Sequence, residues 1–219
     1  MSRPVGAASA PEDRPAGIEP AGPRGQKGAR TRRRIMDATA QLLRERAFGD
    51  IRITEIARVA EIAQPNFYTY FSSLEEVVLA LTEDLSFEPL VSQLQPEWEG
   101  EAGLDLARRL VEVSIAFFRE HSAMLAIVNM LADKRYGEFP SLRVRKMRDL
   151  YKGFEAKVRL AQAQGRLSPA IQPRLAGYEC VGMLAAAGAR YELFRASGFS
   201  HEQLIETTAR VLHRLLGAA

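Results

Sequence analysis

Gln64 and Asn66 stand two residues apart in the run QPNFYTYF, and each can bond an adenine edge through its N6 and N7. Tyr68 and Thr69 follow with groups suited to a thymine methyl or a phosphate oxygen, and Tyr70 adds a further hydroxyl. Two tyrosines beside Gln and Asn are unusual on a merely solvated helix face. Upstream, Arg24 to Arg34 holds six basic residues and no acidic one. Such a block is often a solvated tail, but beside a helix of this kind phosphate contact is the better reading.

Other chemistries lack their residues. His121, His201 and His213 are dispersed, and Cys180 is the only cysteine, set in an apolar stretch. That pattern offers neither a zinc site nor a Cys-His nucleophile, and no glycine-rich phosphate loop follows a strand. The expectation is a protein without metal, cofactor or catalytic residues. A lone cysteine excludes an internal disulfide and fits a reducing cytoplasm. No apolar run is long enough to span a bilayer, and the N-terminus lacks a signal-peptide core.

Two short helices around a break must position the polar residues. Ile53, Ile56, Ala57 and Ala60 recur at helical spacing, the chain breaks near Glu61-Ile62-Ala63, and Gln64 to Tyr70 makes about two turns. Phe67 and Phe71 sit at i and i+4 and anchor the second helix, leaving its other faces polar. This is the layout of a helix-turn-helix. A first helix from about Arg30 to Arg46 turns Ile35, Thr39, Leu42 and Leu43 inward, with Phe48 and Ile51 closing the core. A helix from Leu74 places Val77, Val78, Leu81 and Leu85 on one stripe.

The 219 residues are 47% hydrophobic, enough for one or two cores, and helical spacing without alternating strands predicts an all-α fold. Residues 1–28, rich in Pro, Gly and Ala, read as a disordered basic arm; 29–75 as a DNA-binding unit; 76–219 as a second helical domain. Residues 1–74 carry 12 basic and 8 acidic side chains, and 75–219 carry 18 and 19. Glu88 to Gly103 reads as a connector or lid. Helices are then expected over Leu104–Glu120, Ala123–Arg135 (central, being nearly all apolar), Ser141–Gln164, Leu175–Ala196 and His201–Leu216.

From about Arg30 to Leu85, the segments TRRRIMDATAQLL, EIARVAEIA, NFYTYF and FSSLEEVVLAL resemble the DNA-binding domain of the TetR (tetracycline-repressor) family of bacterial regulators. The resemblance implies DNA contact by Arg30, Arg32, Arg33, Arg34, Thr54, Gln64, Pro65, Asn66, Tyr68, Thr69 and Tyr70, with the Tyr70 hydroxyl on a phosphate. It departs from the family at three positions. Glu61 stands where a turn glycine is common, Ala63 where Ser or Thr caps the recognition helix, and Leu74 where a lysine meets phosphate. Pro65 partly compensates for the missing cap, because a first-turn proline has no orphan N–H.

Past that segment the resemblance is one of architecture, and it implies a domain that dimerises and takes a small, largely apolar effector. Phe117, Met124, Ile127, Val128, Asn129, Leu131, Tyr151, Phe154, Tyr178 and Val181 are the candidate pocket, although ordinary core packing must explain most of them. Asn129, inside AIVNML, is expected to need a buried partner. Ala185, Ala186, Ala189, Leu193, Leu204, Thr208 and Leu212 are the candidate dimer face, and the glycines near them suggest close backbone approach. The implied protein is a homodimeric, ligand-responsive repressor on a roughly palindromic operator, its recognition helices about 34–36 Å apart. Two alternatives stay open: a regulator without effector, and a helical metabolite-binding protein with weakened DNA binding.

Overall fold

The computed structural model describes residues 25–94 and 98–216, and every regular element among them is helical. The expected disordered arm falls, for residues 1–24, outside the described residues. Helix α1 spans Gln26–Glu45, beginning earlier than its sequence pattern suggested, with Gly28 already buried. Ile35, Met36, Leu42 and Leu43 form its apolar stripe, and the buried Thr39 hydroxyl donates to the Ile35 carbonyl at 2.8 Å. Helices α2 (Ile53–Val59), α3 (Gln64–Phe67) and α4 (Leu74–Asp84) follow.

Ser73 caps α4 by accepting from the Glu76 N–H, while Glu76 reaches back to the Ser72 N–H at 2.5 Å. The first bond satisfies an orphan donor of the first turn, and the second ties the residue before the cap to it. Leu74 packs against the N-terminal core, which gives this departure from the family pattern a structural use.

The connector is a packed plug and not a lid. It holds α5 (Glu88–Val91) and a 3-10 turn, Ser92–Leu94, and buries Leu90, Leu94 and Trp98, with Trp98 edge-on to Phe154. Helices α6 (Gly100–Glu120), α8 (Phe139–Ala163), α9 (Pro173–Ala189) and α11 (His201–Leu215) then build the C-terminal core around Leu110, Ile115, Phe154, Leu184 and Leu212. The expected helix 175–196 divides at Arg190 into α9 and α10 (Tyr191–Ala196). The division turns Glu192 onto Arg119 at 2.7 Å and Tyr191 beneath the same guanidinium at 4.0 Å.

Helix α7 (Ser122–Asp133) is not central to its own bundle. Its Ile127, Val128, Leu131 and Ala132 join the N-terminal core with Phe139 and Leu142 from the start of α8. That core therefore extends well past residue 75. Ala126, Asn129 and Met130 remain exposed on the far side of α7.

Candidate nucleic-acid interface and effector cavity

The turn between α2 and α3 decides how the polar residues are presented. Glu61 adopts a left-handed backbone at φ 50°, a conformation that costs a non-glycine residue about 1–2 kcal/mol. Ile62 N–H donates to Ala57 O at 2.9 Å and Glu61 N–H to Arg58 O at 3.1 Å, the paired bonds of a Schellman ending. Arg34 holds the turn from outside: its Nη2 donates to the Glu61 carbonyl at 3.1 Å and to the Glu61 carboxylate at 2.9 Å. The side chain that replaces the usual glycine thus supplies a partner for its own restraint.

Past the turn, Phe67 and Phe71 are completely buried, their rings 6.1 Å apart. Helix α3 is a single turn, followed by turn residues Tyr68–Tyr70, so the expected two-turn helix is shorter. Gln64, Pro65, Asn66, Tyr68 and Thr69 are exposed, Tyr70 is half-buried, and Thr54 is exposed on α2. The two aromatic anchors leave the candidate base-reading side chains free on one continuous segment.

The four arginines of α1 diverge. Arg30 is exposed and without an ion pair among the described residues. Arg32 lies over the Phe71 ring at 4.8 Å, and Arg33 bridges Asp37 (2.9 Å) and Asp84 (3.1 Å), joining α1 to the end of α4. Arg34 is bound to Glu61, so its expected role as a phosphate ligand competes with its hold on the turn.

The C-terminal domain contains a largely apolar cavity of about 180 Å³, walled by α4, α6, α7, α8 and α9. Thr82, Phe87, Phe118, Leu125, Val128 and Met147 are among its walls, with Ala185 and Ala189 opposite and Arg143, Lys146 and Asn129 also lining it. Of the expected pocket residues, Val128 and Asn129 are in this wall. Asn129 is solvent-exposed, so the buried partner it was expected to need is not required. Phe117, Phe154 and Val181 belong to the C-terminal core and Ile127 and Leu131 to the N-terminal one, while Met124 packs against both. Tyr151 and Tyr178 stack 4.2 Å apart in a separate groove.

The cations Arg143 and Lys146 are not among the expected pocket residues. The spacing of Arg143, Lys146 and Met147 on one side of a helix was the available signal. Arg143 pairs with Asp133 at 2.7 Å, and Lys146 Nζ donates to the Glu83 carbonyl at 2.6 Å. Arg145 is bonded to the Glu83 carboxylate. The last turn of α4 is therefore clamped by the helix that lines the cavity.

The expected dimer face also divides. Leu212 is completely buried in the chain's own core, so it cannot belong to a free face. Ala185 and Ala189 face the cavity, whereas Ala186, Leu204 and Thr208 line a second apolar groove with Met183, Phe194 and Phe199. Leu193 is 61% exposed. Two glycines of α9 serve packing within the chain: a Cβ at Gly188 would lie 2.5 Å from Phe118 Cβ, and one at Gly177 would lie 3.0 Å from the Tyr151 carbonyl.

Burial pushes the Cys180 thiol up to about 12, which keeps it protonated and a poor nucleophile. Among the described residues no cluster of three His, Cys, Asp or Glu is arranged to hold a metal ion, and no helix is long and apolar enough to cross a membrane.

Comparison with known families decides the assignment. Residues 90–218 match "Tetracyclin repressor-like, C-terminal domain" and residues 35–81 match "Bacterial regulatory proteins, tetR family". The chain belongs to the TetR family. The Bacillus subtilis HTH-type transcriptional regulator YdgC is 33% identical over 107 residues, 46% of this chain and 54% of that protein. The chain thus spans about half the length of that curated relative. AibR, solved with isovaleryl coenzyme A and operator DNA, shares the fold at a TM-score of 0.61 and 19% identity, over 84% of this chain and 98% of AibR. The fatty acid degradation regulator FadR from Bacillus halodurans gives 0.57 and 15%, over 89% and 96%.

Proposed function

We propose that this TetR-family protein is a cytoplasmic, homodimeric repressor that binds a roughly palindromic operator and is released from it by a small effector with a largely apolar body. In this reading residues 29–75 read DNA, and residues 76–219 bind the effector and dimerise. No reaction is catalysed. Gln64 and Asn66 read bases, while Tyr68, Thr69, Tyr70, Thr54 and Arg30 contact phosphate or the groove edge.

The observation that carries the effector reading is the cavity's position against the last turn of α4. Thr82 is in its wall, and Lys146 beside it holds the Glu83 carbonyl. The first turn of α4 begins three residues after Phe71, which anchors the recognition segment. A ligand that engages Lys146 or spreads α4 from α7 acts on the far end of that connection. Its leverage equals its differential affinity for the two conformers, about 1–3 kcal/mol or roughly 5–150-fold in typical allosteric systems. AibR, which shares the fold, was solved with an acyl thioester and its operator, which supports an acyl compound as effector.

The test is selection of an operator from genomic fragments by gel shift, repeated with Ala185→Phe to fill the cavity. The wild-type protein should hold one fragment against competitor DNA and lose it on ligand addition, and the filled variant should hold it regardless. Equal retention of all fragments would remove the sequence-specific reading. Ligand release unchanged in Ala185→Phe would remove the cavity from the mechanism.

A further inference from the structure

Helix α8 carries seven basic residues and two acidic ones, within a region, residues 75–219, whose net charge is −1. Packing does not explain that excess. Arg143, Arg145 and Arg159 have carboxylate partners, but Arg148 and Lys152 have no ion pair among the described residues. These two cations line a groove of about 500 Å³ between α8 and α9, together with Tyr151, Tyr178 and Arg174. The tyrosine rings lie 4.2 Å apart, Tyr178 is 37% exposed, and the Arg174 guanidinium sits 6.0 Å from the Tyr178 ring. The single acidic side chain in the groove, Glu155, is paired with Arg159 at 2.6 Å. An exposed aromatic platform ringed by cations suits a π-face bearing phosphates.

The groove and the effector cavity adjoin across one residue. Met147 lines the cavity, and its sulfur accepts from the Tyr151 hydroxyl at 3.5 Å. Arg143 and Lys146 stand on the cavity side of this boundary, Arg148 and Lys152 on the groove side. On α9, a Cβ at Gly182 would meet open space, and Ala185 lies in the cavity wall. From Arg143 to Lys152 the helix advances about 14 Å. A free short-chain acid that fills the cavity cannot reach the far cations.

The cavity itself sets the size of the apolar part. An apolar cavity of about 150 Å³ takes benzene, so 180 Å³ suits a group of about seven heavy atoms. A short acyl group with its thioester carbonyl and sulfur has that size.

We infer that the effector is a short-chain acyl thioester of a phosphorylated adenine nucleotide, an acyl-coenzyme A, with the acyl group in the cavity and the nucleotide phosphates and base on the Arg148–Lys152–Tyr178 groove. This rests on the cavity's role as the effector site and adds a second, charged subsite on the other side of Met147. The thioester carbonyl lies near Arg143 and Lys146, so engagement of Lys146 competes with its bond to the Glu83 carbonyl.

Calorimetric titration of the full chain with isovaleryl-coenzyme A, isovalerate and coenzyme A tests the inference. Isovaleryl-coenzyme A should bind at least about tenfold more tightly than either fragment. The double variant Arg148→Glu/Lys152→Glu, altered only at exposed positions, should weaken the thioester by about tenfold or more, since each charge-assisted bond lost is worth roughly that factor. Its affinity for isovalerate should be unchanged. Ala185→Phe should reduce the thioester to the affinity of coenzyme A alone. Isovalerate binding as tightly as its thioester, or a double variant that binds the thioester like wild type, overturns the headgroup site while leaving the cavity its effector role. No binding of any acyl-coenzyme A from two to twelve carbons overturns the inference outright. Loss of the Ala185→Phe effect alone overturns the cavity placement, not the groove.

Discussion

At the scale of single residues, Asn66 and Gln64 carry the prediction for sequence readout. Each is exposed beside a buried aromatic anchor, so truncation removes the proposed base contact without disturbing the core. Asn66→Ala and Gln64→Ala should each weaken operator binding by about 1–3 kcal/mol and leave binding to random DNA nearly unchanged in competition gel shifts. Operator affinity equal to wild type would remove that residue from the interface. Glu61 gives a second test. Its left-handed backbone opposes its pair with Arg34, but the Glu61 side chain is 85% exposed, so the pair is strongly screened. Glu61→Gly should therefore raise stability, by about 1 kcal/mol in thermal unfolding. A loss of stability would mean that Arg34 contributes more than the strain removes.

Between elements, the contact of α6 with α9 and α11 sets the response to mutation and acid. Gly188 lets α9 approach Phe118 and the Ile115 carbonyl, so Gly188→Ala should destabilise by about 1–3 kcal/mol through overpacking, read as a lowered denaturant midpoint. Arg108 clamps Glu206 of α11 through Nε at 2.7 Å and Nη2 at 3.1 Å. Bonds from Arg108, and then Arg210, hold the Glu206 carboxyl down to about 2 from its ordinary 4.5. A depressed carboxyl stabilises the folded state fully above its unfolded value, and that contribution is lost as pH falls from 4.5 toward 2. Glu206→Gln should flatten the acid limb of the thermal midpoint in that window. An acid limb identical to wild type would mean the clamp does not contribute. His213 acts in the same direction at higher pH: burial holds it below its ordinary 6.5, so the folded state resists protonation and loses stability as pH falls through that value.

At the scale of the whole molecule, the apolar groove formed by α9, α10 and α11 is the candidate two-fold interface. Phe199 is 50% exposed and lies beside Leu204 and Thr208 in that groove. Phe199→Glu and Leu204→Arg should give folded monomers by light scattering that bind operator weakly, because each would bury an unpaired charge in the dimer. Leu212→Arg should instead fail to fold, since Leu212 is enclosed by its own chain. Dimers persisting in both of the first two variants would move the interface elsewhere.

How much of this was legible in the sequence depended on the range of the interactions. Phe67 and Phe71 at i, i+4, the break at Glu61 and the α1 stripe are local patterns, and helix geometry alone turns them into a presented polar segment. The family resemblance extended that reading to DNA contact and dimerisation. Local pattern could not say that α7 faces the N-terminal core, because a nearly all-apolar helix has no periodic face to orient it. Nor could it separate Phe117, Phe154 and Val181, which are core, from Phe87 and Val128, which line the cavity, because such side chains are chemically alike and differ only in what packs opposite them. Sequence by itself determined the all-α class, the helix-turn-helix and its candidate reading residues, since these rest on spacing within a few turns. Only the tertiary structure decided that Arg34 restrains the turn, that Leu212 is interior, and that Lys146 joins a cavity to α4. Each of these depends on contact between residues distant in sequence, and no one-dimensional period encodes such a contact.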